Sequence, residues 1–201
     1  FIYLLISSLV SENINSSLES SIFYFRFGIF SLAVWFFIDQ NKNLIKKFAI
    51  LLLIFFIVAL LDGLYQIFNE SNFFGFTNIT ANRMTLLLSD KQILGGYLSR
   101  IFPLLFGALI YSFNLDRKKI ISLMLLLIIT DVVIYISGER TAIGLLLLET
   151  VMIIIFISKF KMLRILSLFL SIGIIVVITF FNAEIRERNI DKTLQQLNID
   201  G

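Results

Sequence analysis

Apolar residues in this chain run continuously instead of alternating, and the runs have the length that crosses a bilayer. Six of them lie near residues 21–38, 48–68, 93–113, 120–136, 141–157 and 165–181. Each is close to the roughly 20 residues that a spanning helix needs. They are rich in Leu, Ile and Phe and are separated by short polar turns, a pattern that predicts helices and not the alternating strands of a closed barrel. A further run over residues 1–10 is half a span. It lacks the basic leader and small-residue cleavage site of a signal peptide and reads as the cut end of a helix. The predicted fold is all-α: a polytopic transmembrane bundle over residues 1–181, with about six full spans plus a partial first one. A polar segment over 182–201 is expected to begin an external loop, with both termini reading as truncations.

The turns between these runs sort by charge. Lys42, Lys46 and Lys47 fill the first, Arg117, Lys118 and Lys119 the third, and Lys159, Lys161 and Arg164 the fifth. Every second connection is therefore basic. The positive-inside rule makes those three cytoplasmic and places residues 11–20, 69–92, 137–140 and the tail from 182 outside.

Composition narrows the chemistry. With 58% hydrophobic and 15% charged residues, the chain cannot be wrapped into a water-facing globule without a large exposed apolar surface, so membrane lipids are its surroundings. It has no Cys and no His. That removes disulfides, thiolate metal sites, the usual zinc patterns and the Ser-His-Asp arrangement from these residues. A net charge of +3 in short separated groups argues against nucleic acid as a partner.

Charges at bilayer depth are costly and usually face a cavity or a partner. Under the predicted topology most of them gather at the outer interface. Arg26 lies about a turn and a half below the outer end of its helix, and Arg100 about two turns below the end of another. Asp62 and Asp131 fall in the last outer turns of outward-running helices, while Arg83, Lys91, Glu139 and Arg140 belong to the external loops. Arg140, at a helix start whose amides also favour an anion, suits a bidentate clamp on phosphate oxygens. Structural readings stand beside these. Arg26 can snorkel, and Arg100 can pair with Asp62 or Asp131. Glu149, in mid-helix, can be protonated and hydrogen-bonded between helices. Gly95 and Gly96 suit close helix packing.

Three features in order carry a family resemblance. They are Arg83, then Ile93-Leu94-Gly95-Gly96-Tyr97-Leu98-Ser99-Arg100-Ile101-Phe102-Pro103, and one helix later Ser137-Gly138-Glu139-Arg140-Thr141-Ala142. This order resembles the O-antigen ligase and polymerase family of bacterial envelope glycan transferases, from about residue 21 to the tail. The resemblance implies a bacterial inner-membrane protein with a periplasmic active face. It implies transfer of a saccharide from an undecaprenyl-diphosphate carrier to a glycan, lipid A core or protein acceptor, without a cofactor or metal. By the same resemblance, Arg83 and Arg140 are the catalytic arginines on the donor diphosphate. Arg100 and Arg26 are further diphosphate ligands, supported by Glu139, Asp62 and Asp131. The chain departs from the family at Ser89-Asp90-Lys91-Gln92, where many relatives have an Asn-Pro-Asn-like segment, and in lacking the family's histidine, which is expected beyond residue 201. Ile185, Ile190, Leu194 and Leu197 suggest an amphipathic helix opening the late loop. Two other functions share the predicted topology: a lipid-carrier or anion transporter without transferase chemistry, and a purely structural membrane subunit.

Overall fold

The computed structural model describes residues 2–69, 71–76, 83–87, 91–114, 116–187 and 189. The expected helix over Ile190, Leu194 and Leu197 lies outside the described residues. The chain is an all-α polytopic bundle; among the described residues every regular element is a helix. It divides into two compact units, residues 1–48 and 49–201, with the division inside one long helix.

The first unit holds α1 (Ile2–Leu9), α2 (Ile14–Phe23), α3 (Phe25–Gln40) and the first residues of α4 (Asn43–Asn69). Helix α1 folds back on α2 through serines. Ser8 and Ser21 are buried with their hydroxyls in contact, and Ser8 Oγ also donates to Leu4 O at 2.7 Å. Tyr24 keeps helical angles, so residues Ile14–Gln40 form one 27-residue apolar span across a slight break. The span thus begins inside the segment 11–20 that the sequence assigns to an external loop. Serine is a weak helix former but satisfies its hydroxyl on the carbonyl one turn back, and its small side chain lets two helices approach closely. Helix α3 buries no residue and exposes Phe30, Trp35 and Phe36, an all-round apolar surface suited to lipid.

The second unit holds the rest of α4, then α5 (Leu94–Ser112), α6 (Arg117–Ile136), α7 (Arg140–Phe156), a 3₁₀ turn (Ser158–Phe160), α8 (Lys161–Phe181) and α9 (Ala183–Arg186). Helix α6 packs along α8, α5 along α7, and each pair touches the other. Association in lipid rests on packing and hydrogen bonds more than on exclusion from water. Here it runs through a ladder of rings: Phe56 of α4, Phe102 and Phe106 of α5, and Phe160 of the 3₁₀ turn, with centroids 5.8, 5.8 and 6.1 Å apart. Leu94, Leu98, Leu105, Leu127 and Val133 fill in around them. Helix α4 seats itself through Gly63, where an added Cβ would lie 2.9 Å from both Leu94 and Val133 side-chain carbons.

Among the described residues, five helices are long and apolar enough to cross a membrane: Ile14–Gln40, Asn43–Asn69, Leu94–Ser112, Arg117–Ile136 and Ser158–Phe181. The sixth expected span is α7, which has 17 residues, at the short end of the spanning range. Alternating helix directions in the second unit bring the described residues between α4 and α5, the turn 137–139 and the start of the tail to one end, called here the loop end. The basic turns of that unit lie at the other. Arg164 departs from the basic turn in which the sequence placed it: it is fully buried, inside the bundle.

A candidate anion site at the loop end

The site is built on glycines. Gly138 has φ +73°, in the left-handed region that glycine adopts without strain, and it reverses the chain between α6 and α7. Buried Ser137 closes this turn, donating from its backbone to Val133 O at 2.8 Å and from Oγ to Ile134 O at 2.7 Å. The turn then lies directly on the first turn of α5. A Cβ on Gly95 would stand 2.1 Å from Ser137 Oγ and 3.3 Å from Ala142 Cβ, and one on Gly96 2.7 Å from Glu139 Oε2. Glycine at 95 allows this approach, and glycine at 96 leaves room for the Glu139 carboxylate where it stands. Gly95-Gly96 and Ser137-Gly138-Glu139, more than 40 residues apart in the chain, are thereby packed against each other.

Glu139 is the N-cap of α7, yet its carboxylate serves a different helix: Oε2 accepts the Gly96 N–H of α5 at 2.9 Å. Its other oxygen, Oε1, is buried and has no hydrogen-bond partner among the described residues. Burial pushes the Glu139 carboxyl above its ordinary value. The amides of Gly96 and Gly95 and the positive charges of Arg83 and Arg100 oppose that rise. Arg83 and Arg100 therefore both act on the same carboxylate, and both are exposed. Arg140, next in the chain, is exposed as well.

The segment bearing Arg83 is fixed by a polar clasp at the end of α4. Asp62 Oδ1 accepts the Phe73 N–H at 2.8 Å, and its Oδ2 accepts from Gln66 Nε2 at 2.7 Å. The Gln66 amide then grips Thr85 as a neighbouring strand would: Oε1 accepts the Thr85 N–H at 2.9 Å and Nε2 donates to Thr85 O at 3.0 Å. Asn72 does the same for the next residues, donating to Leu86 O and Leu87 O while accepting from Phe74 N and Phe76 N. Met84, beside Arg83, is buried and accepts the Leu94 N–H. Gln66, Asn72 and Thr85 escaped the sequence reading. The one local signal is Asp62 and Gln66 four apart on an otherwise apolar helix, a spacing that puts them on one face.

No protein family, curated protein or solved structure matches the chain. The site is therefore read from its own geometry. Of the seven expected site residues, the structure gathers Arg83, Arg100, Glu139 and Arg140 at the α5 and α6–α7 junction. Asp62 lies at the loop end too, but it holds the clasp instead of an arginine. Asp131 does not join them. It faces Arg164, whose guanidinium donates to both carboxylate oxygens at 2.8 and 3.1 Å and whose Nε donates to Thr150 Oγ1 at 3.1 Å. Ser171 adds a further bond to Asp131 at 2.8 Å. A buried carboxylate is stable only beside such a partner, and no external arginine supplies one. Arg26 belongs to the first unit, where its guanidinium lies 5.0 Å from the centre of the Phe27 ring.

A second polar feature lies within the bundle. Glu149 on α7 is 7% exposed, and neither of its carboxylate oxygens has a hydrogen-bond partner among the described residues. It borders a groove of about 390 Å³ between α5 and α7, with Ser99, Arg100 and Pro103 opposite and Leu148, Met152 and Ile157 along the apolar length.

Proposed function

We propose that this chain is the diphosphate-binding part of a bacterial inner-membrane glycan transferase resembling O-antigen ligases and polymerases, with its active face periplasmic. The observation that supports this reading is the convergence of the Arg83 and Arg100 charges on the α5 and α6–α7 junction, beside Arg140. Exposed guanidinium groups at a membrane interface suit a multiply charged headgroup, and forked donors match phosphate oxygens. The carrier is an undecaprenyl-diphosphate-linked glycan. In the transfer, an acceptor hydroxyl oxygen bonds to the anomeric carbon as the bond from that carbon to the diphosphate oxygen breaks. The electron pair leaves with the diphosphate, and the arginines neutralise the charge it gains. The hydroxyl proton passes to a base in the acceptor-binding part of the intact protein.

The test is a set of single alanine replacements at Arg83, Arg100 and Arg140 in the full-length protein, read by envelope glycan and by carrier binding. Loss of both, with the protein still folded and inserted, is the expected result. Normal glycan from all three variants contradicts the proposal and returns the chain to the structural-subunit reading. The buried Arg164, Asp131 and Glu149 favour a transporter as the second reading, since transporters place ionisable groups deep within the bundle. Flux of carrier or anion across vesicles holding the protein, abolished by Glu149→Gln, distinguishes it.

A further inference from the structure

The cradle at the α5 start is already filled by part of the protein. Its positive elements come from three places in the chain: Arg83, next to Met84 whose carbonyl accepts the Leu94 N–H at the start of α5, Arg100 one turn along α5 from Gly96, and the Gly96 amide itself. Glu139 has one oxygen on the Gly96 amide, while Oε1 is buried and meets neither guanidinium in a hydrogen bond. A carboxylate is too small to satisfy this arrangement. It accepts the Gly96 amide, leaves one of its own oxygens without a partner among the described residues, and bonds to neither arginine. An unmade bond at a buried acceptor costs about 1–3 kcal/mol, so the arrangement is not one that a purely structural contact would favour. A diphosphate has more oxygens and a longer reach than a carboxylate, enough for an amide and two forks together.

We propose that Glu139 is an internal stand-in for the ligand: its carboxylate holds the oxyanion cradle formed by the Gly96 amide, Arg83 and Arg100, and a diphosphate headgroup displaces it on binding. This rests on the diphosphate reading above and adds to it two things, the backbone amide as a ligand and a competing carboxylate that sets affinity. Glu139 stands at the N-cap position ahead of α7 but makes no side-chain bond to that helix, so its displacement breaks no bond of α7. Displacement also removes the like charge that would otherwise face the incoming anion. A methyl at 96 would lie 2.7 Å from Glu139 Oε2, so glycine there lets the carboxylate come onto the amide without shifting.

The test uses the full chain in detergent, with farnesyl diphosphate and inorganic pyrophosphate as probes, in the wild type, Glu139→Gln, Glu139→Ala and Arg83→Ala. Removing a competitor should tighten binding in both Glu139 variants by about fivefold or more, the low end of ordinary coupling between two sites. Equal tightening of the two probes marks a soluble anion as the ligand source, and higher affinity for the farnesyl form marks a membrane lipid; either supports the stand-in. Unchanged or weaker binding in both Glu139 variants, with binding still lost in Arg83→Ala, overturns the stand-in and leaves the diphosphate site intact. No binding by any form overturns both. Melting temperatures of the Glu139 variants confirm that the comparison is between folded proteins.

Discussion

Two arginine environments in this chain differ in what surrounds them. Arg164 is fully buried, and its fork is spent on Asp131 and Thr150. Arg83 and Arg100 are exposed at the loop end and converge on Glu139, a carboxylate that faces another helix's amide and bonds to neither of them. An arginine whose donors are matched inside the protein holds helices together. One whose charge reaches a shared space without a bidentate partner there is available to a ligand. Residue type and membrane depth do not separate the two; the partners do.

Arg164 carries the heavier structural role of the two. Arg164→Ala leaves the Asp131 carboxylate buried without its counter-ion, a loss of about 3–5 kcal/mol. The expected result is a large fall in the melting temperature of detergent-solubilised protein, or no folded protein at all. Replacing Arg164 and Asp131 together by apolar residues of similar size should restore much of that stability.

Arg83→Ala is expected to do the reverse. Glycan transfer by the intact protein should fall by about 10²–10³-fold, as when one oxyanion donor is removed, while the melting temperature stays within a degree or two of wild type. Cellular glycan with protein-level controls measures the first, and a thermal shift assay the second.

Gln66→Leu lies between these cases. It orphans the buried N–H and C=O of Thr85, which should cost about 1–3 kcal/mol. It should also lower activity by loosening the segment that aims Arg83. Proteolysis within residues 71–87, compared with Arg83→Ala, separates the loss of positioning from the loss of charge. Gly95→Ala should cost about 1–3 kcal/mol through overpacking against Ser137, and a smaller residue at 137 should rescue it.

The mildest effect concerns pH. Because burial raises the Glu139 carboxyl, the folded chain holds that proton more tightly than the unfolded chain does. The stability this gives is complete below the unfolded value and is lost as pH rises through the raised one. Glu139→Gln should remove this dependence, so that wild type and variant melting temperatures diverge as pH climbs from acid toward neutral, with the variant the higher.

How much of this the sequence discloses depends on how far apart the interacting groups lie. The helices follow from apolar runs because a helix satisfies its own backbone within the run, and the Gly95-Gly96 packing follows from the small-residue rule. The start of α2 does not, because Ser16, Ser17 and Ser20 look like a loop until the helix-to-helix serine contact is seen. Arg164 reads as one of three cations in a basic turn, since charge counting cannot sense an aspartate 33 positions earlier. At the site, Arg83, Arg100 and Arg140 are legible by residue type and order. The clasp from Asp62 and Gln66 to Phe73 and Thr85 is not, because its bonds join positions 11 and 19 residues apart in a segment without periodicity.

On the proposed function, the loop-end arginines form one polyanion site. The affinity of the full chain for farnesyl diphosphate, measured with Arg83→Ala, Arg100→Ala and the double variant, tests it most directly. A shared site predicts that each single change weakens binding by about tenfold or more, roughly 1.4 kcal/mol. It also predicts that the double variant departs from additivity, with the Arg164–Asp131 pair and the melting temperature untouched. Affinity unchanged in both single variants, or strictly additive losses, would contradict the account and make these arginines separate interfacial anchors.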